Sequence, residues 1–339
     1  MDFILTIDTE ADNQWDHGRA LTLENIKFIP RFQELCNKYL VKPTYLVTSE
    51  VCEDSFSKEL FRDYLYRDIA EIGAHLHPWT TPPYQNRDGF RFNDGYHAFA
   101  SELPLDLVAN KIMYLTDQVG TSFGRRPTSF RAGRYGFSEN VAKMLIANQY
   151  LVDTSVTPFT SWSSFGGVPE ASGGPDFLDK NAYPYSYTLE NRQLIEIPVT
   201  ILPTRFPLTS ENFFSKLYLR HKEKNLVMKV FRKLFFNHQP LWLRPSPWMT
   251  IEMFEELIAE AERIGLPYLV MMFHSSELMP GCSRFWPDSQ SIDKLYNLLE
   301  HFFVLLDYKN IPSIKLTDAA KNIRKYPEAV AFSYDEKHQ

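Results

Sequence analysis

Phe3-Ile4-Leu5-Thr6-Ile7-Asp8-Thr9-Glu10 is an apolar, β-branched run that ends in two carboxylates two residues apart. Similar short runs recur at Thr44–Val47, Glu71–His75, Thr128–Arg131, Tyr150–Val152, Leu194–Val199, Tyr268–Phe273 and Pro312–Ile314. Segments with three-to-four-residue apolar spacing lie between most of them, the alternation expected of an α/β protein with a parallel sheet wrapped in helices. Ile26, Ile29, Phe32, Leu35 and Tyr39 make one such stripe, and Pro30 inside it predicts a late helix start or a kink. Thr250 to Ile264 makes another, opening on a threonine and an acidic first turn that suits the helix dipole.

The chain of 339 residues is 44% apolar and 15% aromatic, the composition of a folded protein. Its 42 acidic residues outnumber its 36 lysines and arginines, and a net charge of −6 argues against nucleic acid as a partner, because that affinity rests on clustered cations. Cys36, Cys52 and Cys282 are far apart and form no CxxC pair, so neither a zinc ribbon nor a disulfide framework is expected. The first residues carry no signal-peptide pattern, and the longest apolar run, Leu266 to Phe273, is far short of the roughly 18 residues that span a bilayer. The expected location is the cytoplasm.

Two stretches interrupt the alternation. Residues 154–191 turn to Ser, Gly, Pro and aromatics, which reads as a long loop at an active site. Residues 205–248 form a basic insertion in which Lys216, Arg220, Lys222, Lys224, Lys229, Arg232 and Lys233 alternate with leucines and phenylalanines, as in a helical arm. Three readings stand for it: a solvated helical insertion, a clamp for the phosphates of an activated sugar, or a peripheral membrane contact through 212–236.

The ionisable residues sort onto one end of the strands. Asp8 and Glu10 follow the first, His75 and His77 close the third, Arg131 ends the fourth, Asp153 the fifth, and His274 follows Phe273. In barrels of parallel strands this rim is where active sites assemble. Taken singly, each residue also has an ordinary reading: Asp8 and Asp153 as turn residues, the histidines as packed core side chains, Arg131 as half of a structural ion pair. In an extended segment, however, residues two apart face one side, so His75 and His77 are able to share one ion.

Five segments, Thr6-Ile7-Asp8-Thr9-Glu10, Glu71-Ile72-Gly73-Ala74-His75-Leu76-His77-Pro78-Trp79, Phe130-Arg131-Ala132-Gly133-Arg134-Tyr135-Gly136, Val152-Asp153-Thr154-Ser155 and Met272-Phe273-His274-Ser275-Ser276-Glu277, resemble in this order the successive motifs of the polysaccharide deacetylase superfamily, carbohydrate esterase family four. The resemblance covers most of the chain. It implies a single domain over residues 1–339, a distorted (β/α) barrel of about seven parallel strands, and hydrolysis of an acyl group on a sugar with one divalent metal ion, zinc being the first expectation. It further implies Asp8 as catalytic base, Glu10, His75 and His77 as metal ligands, Arg131 as the partner that orients Asp8, and His274 as the proton donor, paired with Asp153. Tyr135 resembles the residue whose backbone N–H faces the developing oxyanion. The chain departs from the pattern twice. Thr9 stands where a second aspartate usually follows the first, which makes Glu10, or alternatively Asp12, the acidic ligand. Trp79 stands four residues after His75 in place of the usual histidine, which makes His77 the substitute.

Flat rings suit the apolar faces of sugars, and Trp79 and Trp162 are the expected substrate contacts. The function expected is removal of an N-acyl group, acetyl first, from a nucleotide- or lipid-linked sugar intermediate of surface-polysaccharide synthesis. Two rivals are an allantoinase-like amidase or deformylase acting on a small non-sugar or formylated substrate, and a degenerate glycan-binding protein without catalysis.

Overall fold

The computed structural model describes residues 1–15, 19–84, 86–87, 90–91, 98–167, 173–204 and 240–325. Eight strands form its main sheet: β1 (Asp2–Thr9), β2 (Thr44–Val47), β3 (Glu71–Leu76), β4 (Ser129–Ala132), β5 (Val152–Asp153), β6 (Tyr185–Leu189), β7 (Arg192–Glu196) and β8 (Tyr268–His274). They lie in the order β8-β1-β2-β3-β4-β5-β7-β6. Seven run parallel and β6 alone is antiparallel, at the outer edge against β7. The sheet curls into a barrel-like shell whose gap is spanned by the chain around Thr200. There Thr200 donates its N–H to the Val270 carbonyl (3.1 Å) and its Oγ1 accepts from the Val270 N–H (2.8 Å).

Alternation along the strands sorts their side chains into interior and exterior columns. In β1, Phe3, Leu5 and Ile7 pack outward in the large cluster shared with the helices, while Ile4 faces the barrel interior. Ile4, Val152, Ile195 and Val270 are closed off at one end by Leu316, Ala319, Ala320 and Ile323 of the helix Leu316–Lys325. Fully burying each such aliphatic side chain contributes about 1.5–3 kcal/mol. Thr6, Asp8 and Glu10 continue the interior column of β1 toward the opposite rim.

Two sequence expectations, at Pro312–Ile314 and in 154–191, are corrected here, and the one at Pro30 holds. Pro312–Ile314 is not a strand; only Ser313 forms an isolated bridge to Phe3, because the chain turns directly into the closing helix. The stretch 154–191 is not all loop, since Tyr185–Leu189 is β6, its alternating Tyr185, Tyr187 and Leu189 paired with β7. Pro30 lies in the first turn of the helix Ile29–Lys38, where an absent N–H leaves no hydrogen bond unmade, so the helix starts late and follows a 3-10 turn over Glu24–Phe28. Of the basic insertion, residues 205–239, and with them 212–236, lie outside the described residues. Its end, Leu241–Trp242, pairs antiparallel with Ile201–Leu202. The three cysteines are free thiols, and among the described residues no helix is long and apolar enough to cross a membrane.

Candidate active site

The parallel register brings the rim residues into neighbouring pairs. Asp8 stands beside His274, His75 beside Arg131, and Asp153 beside Glu196. Asp8, Glu10, His75 and His77 are all buried, each 3% exposed or less. Thr9, between the two acids, points away from them and bonds the Ile7 carbonyl (3.0 Å), so it takes no part in the cluster.

Glu10, His75 and His77 converge with one ligand atom each, all within 4.8 Å of one another. Glu10 Oε2 is 2.6 Å from His77 Nε2 and 3.5 Å from His75 Nε2. The backbone of Glu10 is fixed by Asn25, whose Nδ2 donates to the Glu10 carbonyl (2.8 Å) and to Ser275 Oγ (2.8 Å). The His75 ring is oriented from behind. Its Nδ1 lies 3.0 Å from the Arg131 carbonyl, which can only accept, so the proton sits on Nδ1 and the Nε2 lone pair is turned into the cluster. Among the described residues His77 Nδ1 has no hydrogen-bond partner, and a Cβ at residue 133 would come within 2.7 Å of it, so Gly133 is required for the ring to fit. Burial moves the Glu10 carboxyl up, but the His77 and His75 partners outweigh it and leave the group well below the usual range. Burial dominates for His77 and lowers it, which keeps the imidazole neutral. A buried carboxylate with two imidazoles is a donor set suited to a divalent cation of the zinc type. Asp12 is not among the donors, because its carboxylate accepts from Thr22 Oγ1 and from the Glu24 N–H (2.7 Å), holding the following turn.

Beside this cluster, Arg131 is completely buried, and its guanidinium is shared among Asp8 Oδ1 (2.6 Å), Thr6 Oγ1 (2.8 Å) and the Thr154 carbonyl (2.8 Å). The second Asp8 oxygen, Oδ2, is left facing His75 Nε2 at 3.9 Å and His274 Nε2 at 3.8 Å. Desolvation alone would raise Asp8; the Arg131 charge, with His75 and His274, outweighs it and keeps the carboxylate ionised.

His274 is partnered differently from the expectation. Asp153 does not hold it: that carboxylate accepts from the Ser155 N–H (2.9 Å) and Oγ (2.8 Å) and lies beside Glu196 on the next strand, so it is committed beneath Arg131. Instead Glu277 Oε1 lies 3.3 Å from His274 Nδ1 and also accepts the His274 N–H (3.0 Å) and Arg244 Nη2 (2.5 Å). A 3-10 turn over Ser275–Leu278 returns Glu277 to its own strand end, which makes this pairing local. Burial lowers His274, but Glu277, Glu10 and Asp8 outweigh it, and the imidazole is displaced upward, toward its protonated form. Glu277 stood within the quoted motif and its spacing was legible; Arg244, at the end of the insertion, had no local signal.

Tyr135 and Trp162 stack at 5.2 Å, with Trp242 edge-on to both, and the Tyr135 hydroxyl donates to Met272 Sδ. Arg134 (φ 54°) and Tyr135 (φ 60°) are successive left-handed residues, a conformation costing roughly 1–2 kcal/mol each and concentrated where the rim backbone must turn. Trp79 is buried, its ring 4.4 Å from that of His77, and it is not open to a substrate as expected. The half-exposed ring in that place is Trp15, which the sequence reading passed over.

No family model matches the chain, and no curated protein matches it. Solved structures do. A protein assigned as a polysaccharide deacetylase in Mycobacterium smegmatis aligns at TM-score 0.55 and 14% identity over 96% of this chain and 91% of that one. A protein assigned likewise in Pseudomonas aeruginosa PAO1 aligns at TM-score 0.50 and 12% identity, over 96% and 90%. The chain has the polysaccharide deacetylase fold. The Puue allantoinase aligns at TM-score 0.51 and 11% identity, again over 96% and 90%. A polysaccharide deacetylase fold therefore occurs with more than one named activity, and the residues on the rim have to carry the functional reading.

Proposed function

We propose that this protein is a metal-dependent amide hydrolase that removes an N-acyl group, acetyl first, from a sugar. The observation that supports it most is the convergence of Glu10, His75 and His77 beside an Asp8 whose one free oxygen is aimed by Arg131. A divalent cation held by those three side chains would polarise the acyl oxygen and make water more acidic there. Asp8 Oδ2 takes the proton of the attacking water, with Oδ1 tied to Arg131 throughout. His274, held at Nδ1 by Glu277, presents Nε2 on the solvent side of Asp8 and gives its proton to the departing nitrogen. The Tyr135 backbone is the assigned donor toward the oxygen that gains charge.

Full-length protein loaded with zinc is tested by amine release from N-acetylglucosamine, N-acetylgalactosamine and N-acetylmannosamine. Asp8→Asn should lower the rate by about 100-fold or more, the usual worth of a general base, and full activity in that variant refutes the assignment. The finer proposal, a precursor of surface polysaccharide, is tested by adding nucleotide-linked and lipid-linked N-acetyl sugars. Likeness in fold to an allantoinase favours one second reading, a small non-sugar amide; allantoin and N-formyl sugars in the same panel separate it.

A further inference from the structure

We infer that Arg244 and the Tyr135 hydroxyl form an oxyanion subsite beside His274, so that the substrate carries a carboxylate or phosphate as well as its acyl group. The inference rests on the reading of the site as a sugar deacylase. Two arginines reach this rim, and they spend their donors differently. Arg131 has every nitrogen on an oxygen: Nε on the Thr154 carbonyl (2.8 Å), Nη1 on Asp8 Oδ1 (2.6 Å) and Nη2 on Thr6 Oγ1 (2.8 Å). Arg244 reaches oxygen through Nη2 alone, which donates to Glu277 Oε1 (2.5 Å). Among the described residues its Nη1 meets only the Met272 thioether (Sδ, 3.7 Å), and its buried Nε has no hydrogen-bond partner.

The Tyr135 hydroxyl donates to that same sulfur (3.3 Å). Two strong donors therefore converge on one weak acceptor in the interior, and donors left short of oxygen there cost free energy that a ligand oxygen recovers. Glu277 does not use up the Arg244 charge, because its Oε1 is divided among Arg244 Nη2, the His274 N–H (3.0 Å) and His274 Nδ1 (3.3 Å). The guanidinium also has a way to solvent: the Arg244 side chain is 17% exposed and that of His274 is 27% exposed. The half-buried rings of Trp162 and Trp242 flank Tyr135 and thin the water around it, which strengthens any charge contact made there. Arg244 Nη2 lies 3.5 Å from His274 Nδ1, the ring edge opposite the Nε2 that faces Asp8. The subsite is thus on the far side of His274 from the ligand cluster, within reach of another substituent of the same sugar or of a short acyl chain. Carboxylate and phosphate are the groups whose oxygens match a guanidinium fork.

The experiment uses zinc-loaded full-length wild type, Arg244→Gln and Tyr135→Phe, and measures both kcat/KM for amine release and Kd by calorimetry. N-acetylglucosamine is the neutral ligand. N-acetylglucosamine 6-phosphate and N-acetylmuramic acid carry an anion on the sugar, and N-succinylglucosamine carries one on the acyl group. Wild type should prefer at least one anionic ligand to the neutral one, and the preferred ligand tells which part of the substrate bears the charge. Arg244→Gln should lower that preference by about tenfold or more, in Kd as in kcat/KM, and Tyr135→Phe by about threefold. Damage passed on through His274 would fall on neutral and anionic ligands alike, and an anion held by the metal alone would bind all three proteins alike. An anionic-to-neutral ratio unchanged in Arg244→Gln, or no anionic preference in wild type, therefore overturns the inference. If Arg244→Gln does not fold, the same ratio in Tyr135→Phe decides, since that variant keeps the ring and loses only the hydroxyl. Arg244-dependent binding of an anionic ligand without amine release from any ligand would instead overturn the deacylase reading and leave the subsite standing.

Discussion

The rim compensates its buried charge in two ways, depending on which strands carry it. On β1, β3 and β4 each acid meets a partner of the other kind: Asp8 meets Arg131 and Glu10 meets two imidazoles. On β5 and β7 two acids, Asp153 and Glu196, are buried side by side, and both are pushed above the usual carboxylate range by desolvation, Glu196 further by the Asp153 charge and hydrogen bond, which in turn holds Asp153 down. The first arrangement holds charges ready for chemistry at neutral pH. The second withholds one of them by keeping a proton, so only one negative charge of that pair faces Arg131 from below. What sets the two apart is the company each carboxylate keeps, since all four are equally out of water.

The sharpest way to break the first arrangement is to remove its cation. Arg131→Met strands Asp8 in the interior and frees Thr6 and Thr154 from their shared donor. Loss of one partner of a buried pair costs about 3–5 kcal/mol, and urea unfolding should show a drop of that size. The pH dependence should also reverse. In wild type Asp8 is lowered, so it contributes stability above its unfolded value that is lost as pH falls through its folded one. Without Arg131, desolvation is left to raise it, and stability should then fall as pH rises. Any residual activity should have its acid limb moved to higher pH, because the base would stay protonated longer. A variant as stable as wild type with the same profile would show that the Arg131 pair is incidental.

A smaller effect is expected at His274. Glu277→Gln keeps the shape of the partner and deletes its charge. Burial and Arg244 both lower the imidazole, and Glu277 is the first influence opposing them. Its loss should therefore shift the alkaline limb of the rate profile to lower pH by about one unit and reduce kcat at neutral pH by about tenfold, with the fold intact. If Asp153 were the working partner after all, Asp153→Asn and not Glu277→Gln would move that limb.

This contrast between the two halves also decides what was legible in the sequence. That Glu10, His75, His77 and Arg131 lie together on the rim was readable from local rules, the two-residue period of a strand and the tendency of reactive groups to end parallel strands, while the roles expected of them rested on the family resemblance. The apolar pattern marked all seven parallel strands and, in Pro312–Ile314, one run that forms none; the count of about seven came with the family resemblance. The partner of His274 did not follow, because a choice between Asp153 and Glu277 depends on how far β5 stands from β8 across the barrel and on a 3-10 turn that begins at Ser275. Trp79 and Trp15 are equally aromatic and both lie near the rim in sequence. Which of them is buried is set by Gln14 and by His77, contacts that only tertiary packing defines. β6 was hidden because Tyr185, Tyr187 and Leu189 form a half-exposed edge strand inside a polar stretch and lack the apolar signature of a central one.

Smallest in effect, and most specific to the contrast, is Glu196→Gln. Glu196 Oε1 accepts the Val156 N–H (3.0 Å), and among the described residues its Oε2 has no partner other than the neighbouring acid. A protonated Glu196 and a glutamine are nearly isosteric, each with a carbonyl acceptor and a neutral donor group on the same stem, so the variant should fold and keep activity within about twofold. Its stability should differ from wild type in slope more than in size. An acid raised in the folded state contributes stability that is full below its unfolded value and is lost as pH rises toward the folded one. Wild type therefore loses this contribution between mildly acidic and alkaline pH, and the glutamine, which does not titrate, should not. Between about pH 5 and pH 8 the variant should gain on the order of 1 kcal/mol relative to wild type in urea unfolding. Parallel pH curves for the two proteins would mean that Asp153 and Glu196 both carry charge in the interior, and the second half of the rim would then need a cation that Arg131, already bonded to Asp8, does not supply.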